Sequence, residues 1–185
     1  DTDNLDLIYA RCMNDDCSLS VRAIADAAGE IDEVTSLAIA SDGFARISYY
    51  HDGNDDLKFV HCTNDNCSAP AVSAIDAAGN MGDFSSIAMG QDGFARIAYW
   101  DDTAKDVKFA RCTNADCSTK VISIVESVGD VGEYISMKIA SDGFARMSYY
   151  DATNRDLKFA RCTNADCTAK NITAVDTGGD GGTYA

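Results

Sequence analysis

The chain has 185 residues, 46% of them hydrophobic, which is enough for a substantial core. Its 30 acids against 15 Lys and Arg give a net charge of -15, which argues against nucleic acid as a partner, because phosphate contacts need clustered basic side chains. The acids are spread along the chain, and no apolar run approaches the roughly 18–20 residues of a membrane span, so neither a disordered acidic tail nor a transmembrane helix is expected.

A unit of 50 residues recurs without insertion or deletion. Cys12, Cys62, Cys112 and Cys162 keep that step, as do Gly43, Gly93 and Gly143, and self-similarity at such a period marks a repeat architecture. In the first stretch, DLIYARC and the run up to residue 26 read as the two outer strands of one unit. Each later unit holds four strand candidates, clearest in the last. Ser136–Ala140 is small and apolar, Asp142-Gly143 gives a two-residue turn signal, and Phe144–Tyr150 alternates between faces. Asp156–Cys162 follows a polar loop, and Asn171–Asp176 follows the cysteine hairpin, before a Gly-rich connector. With one proline and no helical period, the chain reads as all-β.

Four antiparallel strands per unit, repeated, fit β-propeller-type blades better than a β-solenoid, whose repeats are usually shorter, or tandem sandwiches of about 100 residues each. The expected layout is a single repeat domain over 1–185. It holds a partial blade at 1–35, complete blades at 36–76, 86–126 and 136–176, and the start of the next unit at 177–185. Termini that fall within a unit point to a segment of a longer array, or to ends completed by a neighbouring chain.

Eight cysteines fall in four C-x4-C pairs around turn-forming tetrapeptides. Repeat symmetry selects local bridges, one hairpin disulfide per repeat: Cys12–Cys17, Cys62–Cys67, Cys112–Cys117 and Cys162–Cys167. Facing residues in a non-hydrogen-bonded antiparallel pair lie within disulfide reach. A zinc thiolate is the rival reading, but zinc sites mostly use C-x2-C with a second pair or a nearby His, and His51 and His61 do not recur. Disulfides place the protein in an oxidising compartment, outside the cell or on its surface.

The run SLAIASDGFARISYYHDGNDDLKF at 36–59, with its copies, resembles a repeat of secreted bacterial and archaeal proteins. In that family an inner strand, a D-x-G-type turn, an ISYYD strand and a DLKFA strand are regarded as propeller blades distantly similar to the Asp-box repeats of sialidases. The resemblance covers the whole chain and implies the blade, not an activity. The Asp-box S-x-D-x-G-x-x-W itself is absent, since Ser41-Asp42-Gly43 lacks the spacing and no Trp follows, so sialidase chemistry does not transfer.

Candidate sites each have a plain structural reading. Arg46, Arg96 and Arg146, with Arg11, Arg111 and Arg161, are expected to pair with the abundant carboxylates rather than converge on a ligand. The loops bearing Asp52, Asp56, Asp101, Asp106, Asp151 and Asp156 carry oxygens that calcium accepts, but Asp and Asn also close turns, and no EF-hand spacing occurs. Tyr50, Trp100 and Tyr150 are the second of two adjacent aromatics, set either to stack on a sugar ring or to pack between blades. Asn171-Ile172-Thr173 fits an N-glycosylation sequon. No Gly-x-Ser-x-Gly and no Cys–His pairing appears, so no catalytic residue is assigned and no cofactor is required, calcium being the one candidate ion.

The expected function is therefore that of a secreted or cell-surface structural repeat protein, self-associating or joined to neighbouring repeats through incomplete terminal units. The alternatives are a carbohydrate-binding, lectin-like propeller that engages glycans and, behind it, a glycosidase- or sialidase-like enzyme.

Overall fold

The computed structural model describes residues 5–179, the side chains of residues 32 and 33 excepted. These residues form strands and turns only, as the all-β reading expects. A two-stranded sheet joins β1 (Leu7–Cys12) to β2 (Ser20–Asp26). Three four-stranded antiparallel meanders follow. The first holds β3 (Ile31–Ile39), β4 (Ala45–His51), β5 (Asp56–Cys62) and β6 (Pro70–Asp76). The second holds β7 (Met81–Met89), β8 (Ala95–Asp101), β9 (Asp106–Cys112) and β10 (Lys120–Glu126). The third holds β11 (Val131–Ile139), β12 (Ala145–Asp151), β13 (Asp156–Cys162) and β14 (Lys170–Asp176).

Three local devices differ from the sequence expectation. The inner strands start at Ile31, Met81 and Val131 rather than at Ser36, Ser86 and Ser136, so much of the Gly-rich connector is itself strand. A bulge in β7 and β11 hides this from a period-two reading, because register slips between Asp83 and Ser86 and between Glu133 and Ser136. The Asp-Gly pair does not form a two-residue turn alone. It closes a four-residue turn in which the Gly43 N–H donates to Ala40 O at 2.9 Å with φ of 83°, and the Asp42 carboxylate accepts from the Phe44 N–H at 2.9 Å.

All four local disulfides are present, with Cα separations of 4.6–4.8 Å. The paired cysteines are not cross-strand neighbours, however. Cys62 faces Pro70 across the ladder, while Cys67 sits in the loop with φ of 54°. The same left-handed conformation holds at Cys17, Cys117 and Cys167. A side chain rarely adopts that backbone unaided, so the bridge and the loop geometry are parts of one device.

The hydrophobic core lies between sheets rather than within one layer. Phe109 and Val107 of β9 share a cluster with Met137 of β11 and Met147 of β12, and Phe59 of β5 shares one with Ile87 and Ile97. Every residue of β4 and of β8 is buried, because these second strands are covered on both faces. Close approach needs glycine at one recurrent point. A Cβ at Gly82 would lie 2.6 Å from Leu57 Cβ, and one at Gly132 would lie 2.8 Å from Trp100 Cδ1. Inner strands β3, β7 and β11 run side by side, tied by the Ile87 N–H to Ser36 Oγ (3.1 Å) and the Met137 N–H to Ser86 Oγ (3.0 Å). Among the described residues the sheets form an open series, not a closed ring. No helix of the described residues is long and apolar enough to cross a membrane.

Candidate functional site

The polar chemistry of the molecule is concentrated at the junctions between successive sheets. The last residue of each outer strand (Asp26, Asp76 or Glu126) projects a carboxylate toward the next sheet. There it accepts the hydroxyl of Tyr49, Tyr99 (2.7 Å) or Tyr149 (2.5 Å). A lysine of the adjoining strand completes the knot. Lys58 lies 3.6 Å from Asp26, Lys108 3.2 Å from Asp76, and Lys158 2.6 Å from Glu126.

Lys108 and Lys158 have a second carboxylate each, Asp101 and Asp151, both at 2.8 Å. Those same acids cap the next turn, accepting from the Ala104 N–H (2.8 Å) and the Asn154 N–H (3.0 Å). Burial pushes the three tyrosine hydroxyls strongly upward, helped by the facing carboxylate, so they are donors at any ordinary pH. Burial also disfavours the charged lysines, yet their paired carboxylates hold both above the usual lysine value. Asp151 is penalised by burial too, but Lys158 and Asn154 keep its carboxyl below the usual range.

The first junction departs from this pattern. His51 stands where Asp101 and Asp151 stand, it is buried, and neither ring nitrogen has a hydrogen-bond partner. Lys58 is left with Asp26 as its carboxylate partner among the described residues.

Outside the knot, the cysteine hairpins lock successive sheets at the rim. Ser73 Oγ donates to Asp116 O at 2.8 Å, Lys120 Nζ to Ala74 O and Lys170 Nζ to Ile124 O, each at 2.7 Å. Arg11 pairs with Asp65 and Arg111 with Asp166. Arg46, Arg96 and Arg146 clamp their own hairpins, each bonding a nearby aspartate and the carbonyl of Cys62, Cys112 or Cys162. Arg161 lies 4.0 Å from Asp142, which Arg146 also binds, so these arginines pair with aspartates of their own or the next sheet.

Four of the calcium candidates fall in facing pairs, Asp101 with Asp106 and Asp151 with Asp156. Asp101 and Asp151 belong to lysine pairs, Asp52 is exposed, and Asp56, Asp106 and Asp156 face His51, Asp101 and Asp151 across the ladder. No group of three or more His, Cys, Asp or Glu side chains suited to a metal occurs among the described residues. Asn171 is exposed on β14. Tyr50, Trp100 and Tyr150 do not offer free ring faces, because all three are buried at the junctions.

Sequence reasoning missed two sets of residues. One is the Tyr–carboxylate–Lys knot, whose only signal was the recurrence of Tyr, Lys and an acid at the 50-residue step. The other is the bulge aromatics Phe84 and Tyr134, whose rings lie 4.6 Å apart between centroids. No protein-family model matches the chain, and no curated protein matches it.

Proposed function

We propose that the chain is a secreted or cell-surface β-propeller-type repeat protein that acts as a disulfide-stapled structural scaffold, extending by the addition of like sheets. The carrying observation is the contrast between inner and outer junction faces. Ile75 and Val125 are 3% and 2% exposed under the following sheet, whereas the equivalent Val175 is 62% exposed. At the other side Ile87 and Met137 are 4% and 1% exposed, whereas the equivalent Leu37 is 50% exposed. Uncovered apolar faces that repeat the chemistry of covered ones are shaped for another unit of the same kind.

Bridged cysteines support the extracellular setting, and the ISYYD…DLKFA pattern supports kinship with secreted propeller repeats. The reading assigns no catalytic residue. Measuring the non-reduced mass of the native chain and of its intact particle tests the scaffold role. A chain with more units than these, or a particle of many chains, is expected. A native monomer of 185 residues with these faces exposed would contradict it.

A further inference from the structure

At the junction of the second and third meanders the structure has a feature that the knot does not explain. Four aromatic rings run in sequence across the two sheets: Trp100, Phe84, Tyr134 and Tyr150, with centroid separations of 5.9, 4.6 and 6.4 Å. The middle two are partly exposed. Both sit on the inner-strand bulges with left-handed backbones, φ of 52° at Phe84 and 55° at Tyr134, a conformation that is costly for a bulky residue and that clusters at functional sites.

Around these rings the polar groups are incompletely used. Trp100 is 8% exposed and its indole N–H has no partner, while Oδ1 of Asn80 and Oδ1 of Asp130, on the connectors entering the two bulged strands, have none either. Lys105 lies 4.5 Å over the Trp100 ring and pairs with Asp102. Glu133, beside Tyr134, is raised by partial burial and by the nearby acids Asp130, Asp83 and Asp102.

We propose that this ridge, centred on Phe84 and Tyr134, binds a neutral saccharide. The unpartnered indole N–H is a donor, from which a hydroxyl can accept and an ammonium cannot. Partly exposed rings suit the apolar C–H face of a pyranose, and the surrounding carboxylates would accept its hydroxyls while repelling uronates. Phe84 and Tyr134 occupy the same position of successive units, where the first meander has Val34, and the first meander carries Asp55 at the Lys105 position, so the paired ridge forms at the junction of the second and third meanders and not at the one before it.

Trp100 is the sole tryptophan and reports directly on the ridge. Cellohexaose, mannohexaose and polygalacturonate are titrated into the full chain while its fluorescence is followed. A saturable response to a neutral oligosaccharide, weak or absent with polygalacturonate, is expected. Phe84→Gly with Tyr134→Gly removes the rings at positions where glycine fits the backbone, and it should weaken that binding about tenfold or more. Equal binding by the double variant, if it shows wild-type circular dichroism, overturns the proposal. So does the absence of response to either neutral sugar, or a response to polylysine alone, which would make the acidic rim a site for basic peptides.

Discussion

Replacing Asp76 with alanine should separate the knot from the rest of its environment, because the molecule contains its own control. Asp76 accepts the Tyr99 hydroxyl, pairs with Lys108 and caps its own turn through the Ala78 N–H at 3.3 Å. Asp176 makes the same cap, to the Gly178 N–H at 3.0 Å, but no inter-sheet bond among the described residues. The cap therefore cancels between Asp76→Ala and Asp176→Ala, leaving the inter-sheet interactions. Breaking a buried charge pair costs about 3–5 kcal/mol. Lys108 keeps Asp101, so the lower part of that range, about 3 kcal/mol, is expected for Asp76→Ala. In a chain of this size that lowers the melting temperature by about 6–12 °C. Asp176→Ala should stay within about 0.5 kcal/mol. Calorimetry and urea titration of both variants measure the difference. Equal effects, or a loss at Asp76 below about 1 kcal/mol, would refute the claim that the knot holds the sheets together.

Three further outcomes follow from the same geometry. His51→Asp restores a carboxylate facing Lys58 and removes two unpartnered buried nitrogens, so urea titration should show a gain of about 1 kcal/mol. Burial, together with Asp101 directly across the ladder, raises the Asp106 carboxyl. A carboxyl raised on folding costs stability as pH rises from the unfolded value of 3.8 through the folded one. Asp106→Asn should therefore stabilise at neutral pH, with the gain vanishing in acid on a stability-versus-pH profile. Cys112→Ser with Cys117→Ser opens a short loop, so it should cost about 2 kcal/mol in chemical denaturation, and an unchanged midpoint would show that the bridge adds nothing.

Much of the fold was legible because it rests on local chemistry repeated at a fixed step. Alternation in Phe144–Tyr150, the Asp-Gly pair and the C-x4-C spacing each specify a strand or a turn within a few residues. The bulges at Phe84 and Tyr134 were not legible. A bulge breaks the alternation that marks a strand, so residues 131–135 read as connector. The knot was hidden for another reason: Asp76 and Tyr99 meet only because one sheet is laid on the next, and that packing is not written in the spacing of either strand. The pairing of Tyr49-Tyr50 and its copies left one face open to interpretation, because alternation says which side each ring takes and not what covers it; both rings of each pair are buried.

The most direct test of the scaffold account is to place one more copy of residues 127–176 after Asp176 and measure thermal stability together with amide exchange in β14. If sheets propagate by face-to-face stacking, Val175 becomes buried, exchange in β14 slows, and the melting temperature rises. An added copy that leaves β14 exchange and the melting temperature unchanged would mean that the exposed face is not a junction, and the account would fail at its centre.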